Sequence, residues 1–520
     1  MAVAREVELK LEASTSDLRR LGTHPVVTAL AVSGAVTRVL ESRYFDSADD
    51  RLAAAGFALR LRRDGDTSVQ TLKGGGSTVG GLFERVEIEV PFHGERPDLG
   101  RIDDGAMRAA VEETLGGAPL VERFRTEFER STRVLGSGES AFRVDIDRGQ
   151  VIAGDARMPI HEVELELVTG TPAALFEFAL MLQEHFDVWM LARSKAERGH
   201  ALARAEMPRA QRKGRVDLPA GANVETALGG ILSHALHQWT VNADLAADGS
   251  DPEGVHQMRV GVRRLRAALR GFRKLLPQER VAVFRSELRW LGQMLGPVRD
   301  LDVFLSEVIQ PLEAGCGHDE AFKRLREEAL ALRDECQSAA THAIRSQRHT
   351  RLALEIGSWI AAAGWRNQPV NEVSARLFDQ ATDYADKLLS SRRRSLKRRG
   401  ATLPTTDAER HAVRLRVKRL RYLAESVRDL YPETRARRFL KPVARLQRAL
   451  GRSNDCATVS RILRVLLERL GDERMPAHDQ MAGFVNGWMV RHAERALADA
   501  DEAWERFRSA RPFWKGKARR

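Results

Sequence analysis

Through its first two hundred residues the chain repeats one pattern: charged and apolar residues alternate, and the charges on a given face often share a sign. R5-E-V-E-L-K-L-E12 sets Glu6, Glu8, Lys10 and Glu12 against Val7, Leu9 and Leu11. F57-A-L-R-L-R62 pairs Arg60 with Arg62, F83-E-R-V-E-I-E-V90 pairs Glu87 with Glu89, and F142-R-V-D-I-D147 pairs Asp145 with Asp147. I160-H-E-V-E-L-E-L167 aligns Glu162, Glu164 and Glu166, while S68-V-Q-T-L-K73 runs into a Gly-rich turn at G74-G-G. Period two is the signature of β-strands with two unlike faces. Helical periodicity is confined here to 14–22, 103–116 and 172–186.

A single strand of this kind turns its charges to water. Five or six with like charges at i and i+2 gain nothing from solvation alone, because the pairs repel. Paired carboxylates suit a divalent cation, and paired Arg and Lys suit phosphate. An antiparallel sheet curled into a barrel points both sets inward, where opposite charges and a ligand compensate one another. The apolar faces then look outward, and the few helices cover part of them.

After Met207 the pattern changes. Residues 208–222, PRAQRKGRVDLPAGA, read as a polar linker. Helical periodicity then runs on, and a repeat emerges. H256-Q-M-R-V-G-V-R-R-L-R266 matches H411-A-V-R-L-R-V-K-R-L-R421, and L295-G-P-V-R-D300 matches L450-G-R-S-N-D455, both at an offset of 155. The domains expected are 1–207, an antiparallel β barrel or tunnel of α+β class, and 223–515, all-α, as two repeated four-helix bundles.

Each repeat sets a His and three cations on one helical stripe: His256, Arg259, Arg263 and Arg266, then His411, Arg414, Lys418 and Arg421. Met258, Val262, Leu265 and Leu269 fall on the neighbouring, core-seeking face. Stacked cations repel unless an anion lies across them. The runs R392-R-R-S-L-K-R-R399 and W514-K-G-K-A-R-R520 read as auxiliary patches or solvated runs.

Charge separates the two parts. Residues 1–207 carry 26 Lys and Arg against 34 Asp and Glu, whereas 208–520 carry 58 against 38. So basic a half calls for a polyanion. Aromatics at 6% are too sparse to favour stacking on nucleic acid bases. Cys316, Cys336 and Cys456 form no CxxC pair, which fits a reducing cytoplasm and excludes a disulfide framework or zinc site. The first residues lack the apolar core of a signal peptide, and no run is long enough to span a membrane.

The first part resembles the CYTH superfamily, the triphosphate tunnel metalloenzymes. R5-E-V-E-L-K10 is similar to the Glu-x-Glu-x-Lys signature, and Y44-F-D46, L59-R-L-R62, T71-L-K73, E84-R-V-E87, R123-F-R125, V144-D-I-D147, E162-V-E-L-E166 and S194-K-A-E-R198 follow in order. Ser47-Ala48 departs from the Thr-Pro often found there. The resemblance implies an eight-stranded antiparallel tunnel with a triphosphate threaded through it beside a magnesium or manganese ion. Glu6, Glu8, Glu162 and Glu164 are then candidate metal ligands. Lys10, Arg60, Arg62, Lys73, Arg85, Arg125 and Lys195 are candidate phosphate holders. Glu87 and Asp145 join Glu6, Glu8 and Lys10 as catalytic candidates that bind a second metal or orient water. Glu166, Glu89, Asp147 and Arg63 read equally as salt-bridge partners.

The second part resembles the CHAD domain, which implies inorganic polyphosphate bound along both stripes. In this order the two domains resemble bacterial inorganic triphosphatases. The expectation is metal-dependent hydrolysis of triphosphate to diphosphate and phosphate, by a cytoplasmic protein that meets polyphosphate granules and neither membrane nor nucleic acid. The alternatives are class IV adenylate cyclase, a thiamine- or nucleoside-triphosphatase, or a non-catalytic polyphosphate-binding scaffold.

Overall fold

The computed structural model describes residues 5–515 except 80, 213, 217, 399–402 and 405, with the side chains of 77–79, 407, 452–454 and 497 also outside the description. The chain forms two compact units. One comprises Met1–Gln211 with Leu236–Leu245 and Arg345–Gly364; the other comprises Arg212–Ala235, Ala246–Ile344 and Trp365–Arg520.

In the first unit the alternating stretches become strands β1 (Arg5–Ala13), β2 (Val36–Asp46), β3 (Ala58–Asp64), β4 (Thr67–Val79), β5 (Leu82–Pro91), β6 (Val121–Ser137), β7 (Ser140–Ala153), β8 (Ala156–Thr169) and β9 (Val188–Met190). Eight close on themselves in the order β5-β4-β3-β2-β6-β7-β8-β1, because β1 pairs with β8 along one edge and with β5 along the other. The short β9 takes up the end of that second edge at Leu11–Ala13. All pairings are antiparallel, so closure leaves the eight without a free edge.

The charged faces turn inward. The outward faces of β1, β7 and β8 bury Leu9, Leu11, Val144, Val163 and Leu165. They pack against α1 (Thr15–Leu21), α3 (Pro172–Gln183) and Leu354 of the helix Gln347–Ala361. The outer side of β3 and β4 is covered by α2 (Gly105–Leu115) through Val111 and Leu115. One end of the barrel interior is apolar instead: Leu40, Tyr44, Phe124 and Phe128 meet Ala196 and Leu202 of α4 (Lys195–Ala203). Gly199 permits that approach, since a Cβ there would lie 2.0 Å from the Phe124 ring.

The expected turn at Gly74–Gly76 is corrected. β4 runs through it, and the register with β5 shifts between Gly74 and Ser77. The glycines form a bulge: Gly75 has φ +59°, and a Cβ on Gly76 would meet the Glu84 carbonyl oxygen at 1.8 Å.

The second unit is helical. Its longer helices include α5 (Pro252–Gly271), α6 (Gln278–Val303), α7 (Glu320–Ile344), α8 (Ala381–Lys397), α9 (Asp407–Val427), α10 (Glu433–Ala449), α11 (Arg452–Arg469) and α12 (Pro476–Ser509). α5 and α9 start 155 residues apart, and so do α6 and α10. The copies differ at the second motif: α6 continues through Leu295–Asp300, whereas the chain breaks at Leu450–Gly451 between α10 and α11. α5 and α9 pack on one another, with Met258, Val262, Leu265 and Leu269 buried as their spacing requires.

Candidate active site

Strand register decides which side chains share the barrel interior. Tyr44 lies opposite Arg60, Arg60 opposite Thr71, and Lys73 opposite Glu87. Across the barrel, Arg130 lies opposite Asp147, Asp145 opposite Glu164, and Glu164 opposite Lys10. Residues opposite one another point to the same side of the sheet. The result is a cavity of about 980 Å³ lined by Glu6, Glu8, Lys10, Arg60, Arg62, Lys73, Arg85, Glu87, Asp145, Glu164, Lys195 and others.

Its charges are cross-paired. Lys10 Nζ donates to Glu8 Oε2 at 2.9 Å and to Glu164. Lys195 Nζ, at the first residue of α4, sits 2.7 Å from Asp147 Oδ2, 2.8 Å from Glu162 Oε2 and 2.9 Å from Glu164 Oε1. The Ser194–Glu197 capping box anchors that helix start. Lys73 Nζ bridges Glu6 Oε2 at 2.6 Å and Glu87 Oε1 at 3.1 Å. Arg60 reaches Glu87 at 3.4 Å and Glu89 at 3.7 Å. Arg85 lies 3.8 Å from Glu197 and over the Phe83 ring. Arg130 donates to Asp147 at 2.6 and 2.7 Å, to Asp145 at 2.7 Å and to Glu164 at 2.5 Å.

These pairings set the titration. Burial works against charge on Lys10 and Lys195, yet their carboxylates outweigh it and hold both above the ordinary lysine range. Arg62 is the contrast. Burial, with Arg60 and Arg130 beside it, brings it down to about 10. Glu166 is pushed up to about 7, first by burial; Arg143 opposes the rise, and Glu6 and Glu87 add to it.

One expected phosphate holder is placed differently from the rest. Arg125 is not brought to the tunnel: it faces outward opposite Arg43 and pairs with Glu127 at 3.0 Å. Arg63 is likewise external, paired with Glu41 at 2.5 Å. The inward arginine of β6 is Arg130, which the sequence reading missed. Its signal was parity with Phe124, Thr126 and Phe128, masked by the richer charge on the other face of the strand.

The residues fit a hard divalent cation, since the donors are carboxylate oxygens only. Among the described residues, Asp147, Glu162 and Glu164 bring oxygens within 4.8 Å of one another. Glu6 and Glu8 stand outside that trio but line the same cavity as Glu164.

In the helical unit a cavity of about 280 Å³ gathers Arg263, Arg266, Arg270, Arg392, Lys418, Arg419 and Tyr422, with no carboxylate in its lining. The stripes supply three of these. Arg270 continues the α5 stripe one turn beyond Arg266 and Arg419 lies off the α9 stripe, and neither was singled out from sequence, whereas Arg392 of α8 belongs to the run read as an auxiliary patch or solvated run. Arg263 lies 4.9 Å from the Tyr422 ring centroid. His256 is held below the ordinary range by burial and then by Arg299. Arg259 faces Gly296, Arg414 is buried, His411 is exposed, and Arg421 donates to Glu425 at 2.7 Å. Of the two basic runs, Arg393 and Lys397 donate to carbonyls at the end of α12, while Arg399 and residues 516–520 lie outside the described residues. No described helix is long and apolar enough to cross a membrane.

Comparison with known families agrees with this division. The CYTH domain family model matches residues 4–199, and the CHAD domain family model matches residues 230–464. The chain is therefore a CYTH domain followed by a CHAD domain. Over 165 residues it is 33% identical to the inorganic triphosphatase of Haemophilus influenzae, covering 31% of this chain. The chain spans 46% of that relative, about half its length. A crystal structure of the CHAD domain from the plant Ricinus communis, 27% identical, matches 60% of this chain and 100% of its own with a TM-score of 0.50.

Proposed function

We propose that the barrel hydrolyses inorganic triphosphate to diphosphate and phosphate, and that the helical half, two copies of a four-helix bundle by its 155-residue offset, binds inorganic polyphosphate. The observation that carries the first reading is the closed, charged cavity of about 980 Å³, in which cations and carboxylates alternate around one interior. Lys10, Arg60, Arg62, Lys73, Arg85, Arg130 and Lys195 hold phosphate oxygens, the guanidinium groups bidentately and the ammonium groups as point charges. Entering phosphates take over cations that the carboxylates now hold. Glu6, Glu8, Glu162 and Glu164 hold magnesium or manganese. The metal supplies charge neutralisation and a more acidic bound water. Asp145, fixed by Thr132 at 2.7 Å and by Arg130, and Glu87, fixed by Lys73, orient water and accept its proton. Positioning and charge neutralisation are most of what phosphoryl transfer needs.

The second reading rests on the cavity between Arg263, Arg266, Arg270 and Lys418, where like charges lie together without an acidic partner in the lining. The first test is phosphate release from a panel of triphosphates with magnesium and with manganese. Inorganic triphosphate should be turned over fastest. Equal or faster turnover of ATP or thiamine triphosphate would redirect the assignment, and a protein that binds polyphosphate without releasing phosphate would be a scaffold.

A further inference from the structure

Tyr44 lines the barrel cavity, and the roles assigned above leave it unused. It lies on β2, 3% exposed, facing inward between Arg60 of β3 and Phe124 of β6. Its ring stacks on Phe124 with centroids 4.4 Å apart and planes 14° from parallel. That contact fixes the phenol in one orientation at the cavity wall.

The strongest charge influences on its hydroxyl come from cations, Arg60 and Arg62 of β3 and Lys195 of α4, and Arg60 is its partner across the β2–β3 pair. A guanidinium donates and never accepts. A hydrogen bond between the two can therefore run only from the Arg60 nitrogen to the Tyr44 oxygen, which leaves the phenolic proton to be donated into the cavity. Arg60 adds a second unspent donor. It is 8% exposed, and its Nε–H is buried without a hydrogen-bond partner. Among the described residues nothing meets the Arg60 Nε–H, and a buried donor left open beside a phenol calls for an anionic oxygen.

We propose that Tyr44 contacts the substrate directly, donating its hydroxyl proton in a hydrogen bond to a phosphate oxygen that Arg60 also holds. This rests on the triphosphatase reading. Tyr44 is the neutral member of a cationic wall, and O–H···O⁻ bonds of this kind are short and strong. The contact exists only while the phenol keeps its proton. Once ionised, it would face phosphate as a like charge. Burial resists that ionisation, but Arg60, Arg62 and Lys195 outweigh burial and draw it below the ordinary tyrosine range. The kcat/KM of the protein should therefore fall on an alkaline limb below about pH 10.

Tyr44→Phe keeps the ring and its stacking and removes only the donor. With inorganic triphosphate, kcat/KM should fall roughly 10- to 100-fold at neutral pH, and the part of the alkaline limb that precedes the titration of Arg62 at about 10 should vanish. Unchanged kcat/KM, or a lowered value with the limb intact, would overturn the proposal. In the unmutated protein, ultraviolet titration should show tripolyphosphate moving the ionisation of one of its four tyrosines to higher pH. This decides the matter should the Phe variant fail to fold, and a titration indifferent to tripolyphosphate counts against Tyr44. A protein without turnover would overturn the triphosphatase reading separately. The contact would then be judged by tripolyphosphate binding, where a Kd at least tenfold weaker in the variant supports it, and equal or absent binding in both overturns it.

Discussion

Lys195 in the barrel and Arg266 in the helical unit are both cations drawn back from water, but their surroundings differ in sign. Lys195 lies within 2.9 Å of three carboxylates, which hold it above the ordinary lysine range despite burial. Arg266 is held below the ordinary arginine range by burial, and Arg289 and Arg285 depress it further. The barrel therefore compensates its own charges and can exchange internal partners for substrate. The described lining of the cavity in the helical unit offers cations and no carboxylate to give up, so an external anion would compensate them.

The largest effect that could break this contrast is at Glu164, which takes contacts from Lys10, Lys195 and Arg130. Glu164→Gln should leave three buried cations short of charge. Stability in a urea titration should drop by about 3–5 kcal/mol, and triphosphate turnover should fall roughly 10²- to 10³-fold. An unchanged unfolding midpoint would show that the pairing is not what holds the interior.

The matching change in the helical unit should have the opposite sign. Replacing Arg266 and Arg270 by Ala removes mutual repulsion, so Tm should hold or rise. Titration at two salt concentrations should show at least about tenfold weaker polyphosphate binding, with the slope of log affinity against log salt reduced by about one for each lost contact. A clear fall in Tm would make these arginines structural and erase the contrast.

A smaller effect comes from pH. Glu166 is pushed up to about 7 in the folded barrel, above the ordinary carboxyl value of 4.5. Between those values the folded state binds more protons than the unfolded one, so stability falls as pH rises. In metal-free buffer, unfolding free energy should decline by about 1–3 kcal/mol across that window, and Glu166→Gln should flatten the decline. A stability that rises with pH there would reverse the sign assigned to the Glu6–Glu87–Glu166 repulsion.

The smallest expected effect is at Arg125, whose partly exposed ion pair lies outside the barrel. Arg125→Ala should change kcat/KM less than about twofold, as exposed pairs contribute little, whereas Arg130→Ala should nearly abolish activity. Comparable losses in the two variants would mean that the register argument for β6 is wrong.

Much of the site was legible because period-two alternation is local. β1, β3, β7 and β8 carry their charges on one face, so Glu6, Glu8, Arg60, Asp145 and Glu164 could be grouped before any strand was paired. β6 defeated that reasoning. Its more charged face, with Arg123, Arg125, Glu127 and Glu129, is the outer one, because Phe124 and Phe128 are needed against α4 at the apolar end of the barrel. The Gly74–Gly76 run resembled a turn, since glycine serves turns and bulges alike. Only the closeness of the Glu84 carbonyl distinguishes the two. In the helical unit the duplicated stripe was visible through its offset, but Arg392 joins the same cavity from another helix.

The sequence by itself determined that there are two kinds of chain here: strands with one charged face through the first two hundred residues, and helices whose motifs recur at an offset of 155 residues after them. Those are periodicities, written in neighbours a few positions apart. Tertiary structure alone decided which face of each strand is the inside, that β1 closes the barrel against β5 and β8, and that Tyr44 stands among three cations. Such facts depend on register between segments far apart in the chain. A one-residue shift in that register would turn every charge to the other side while leaving the alternation unchanged.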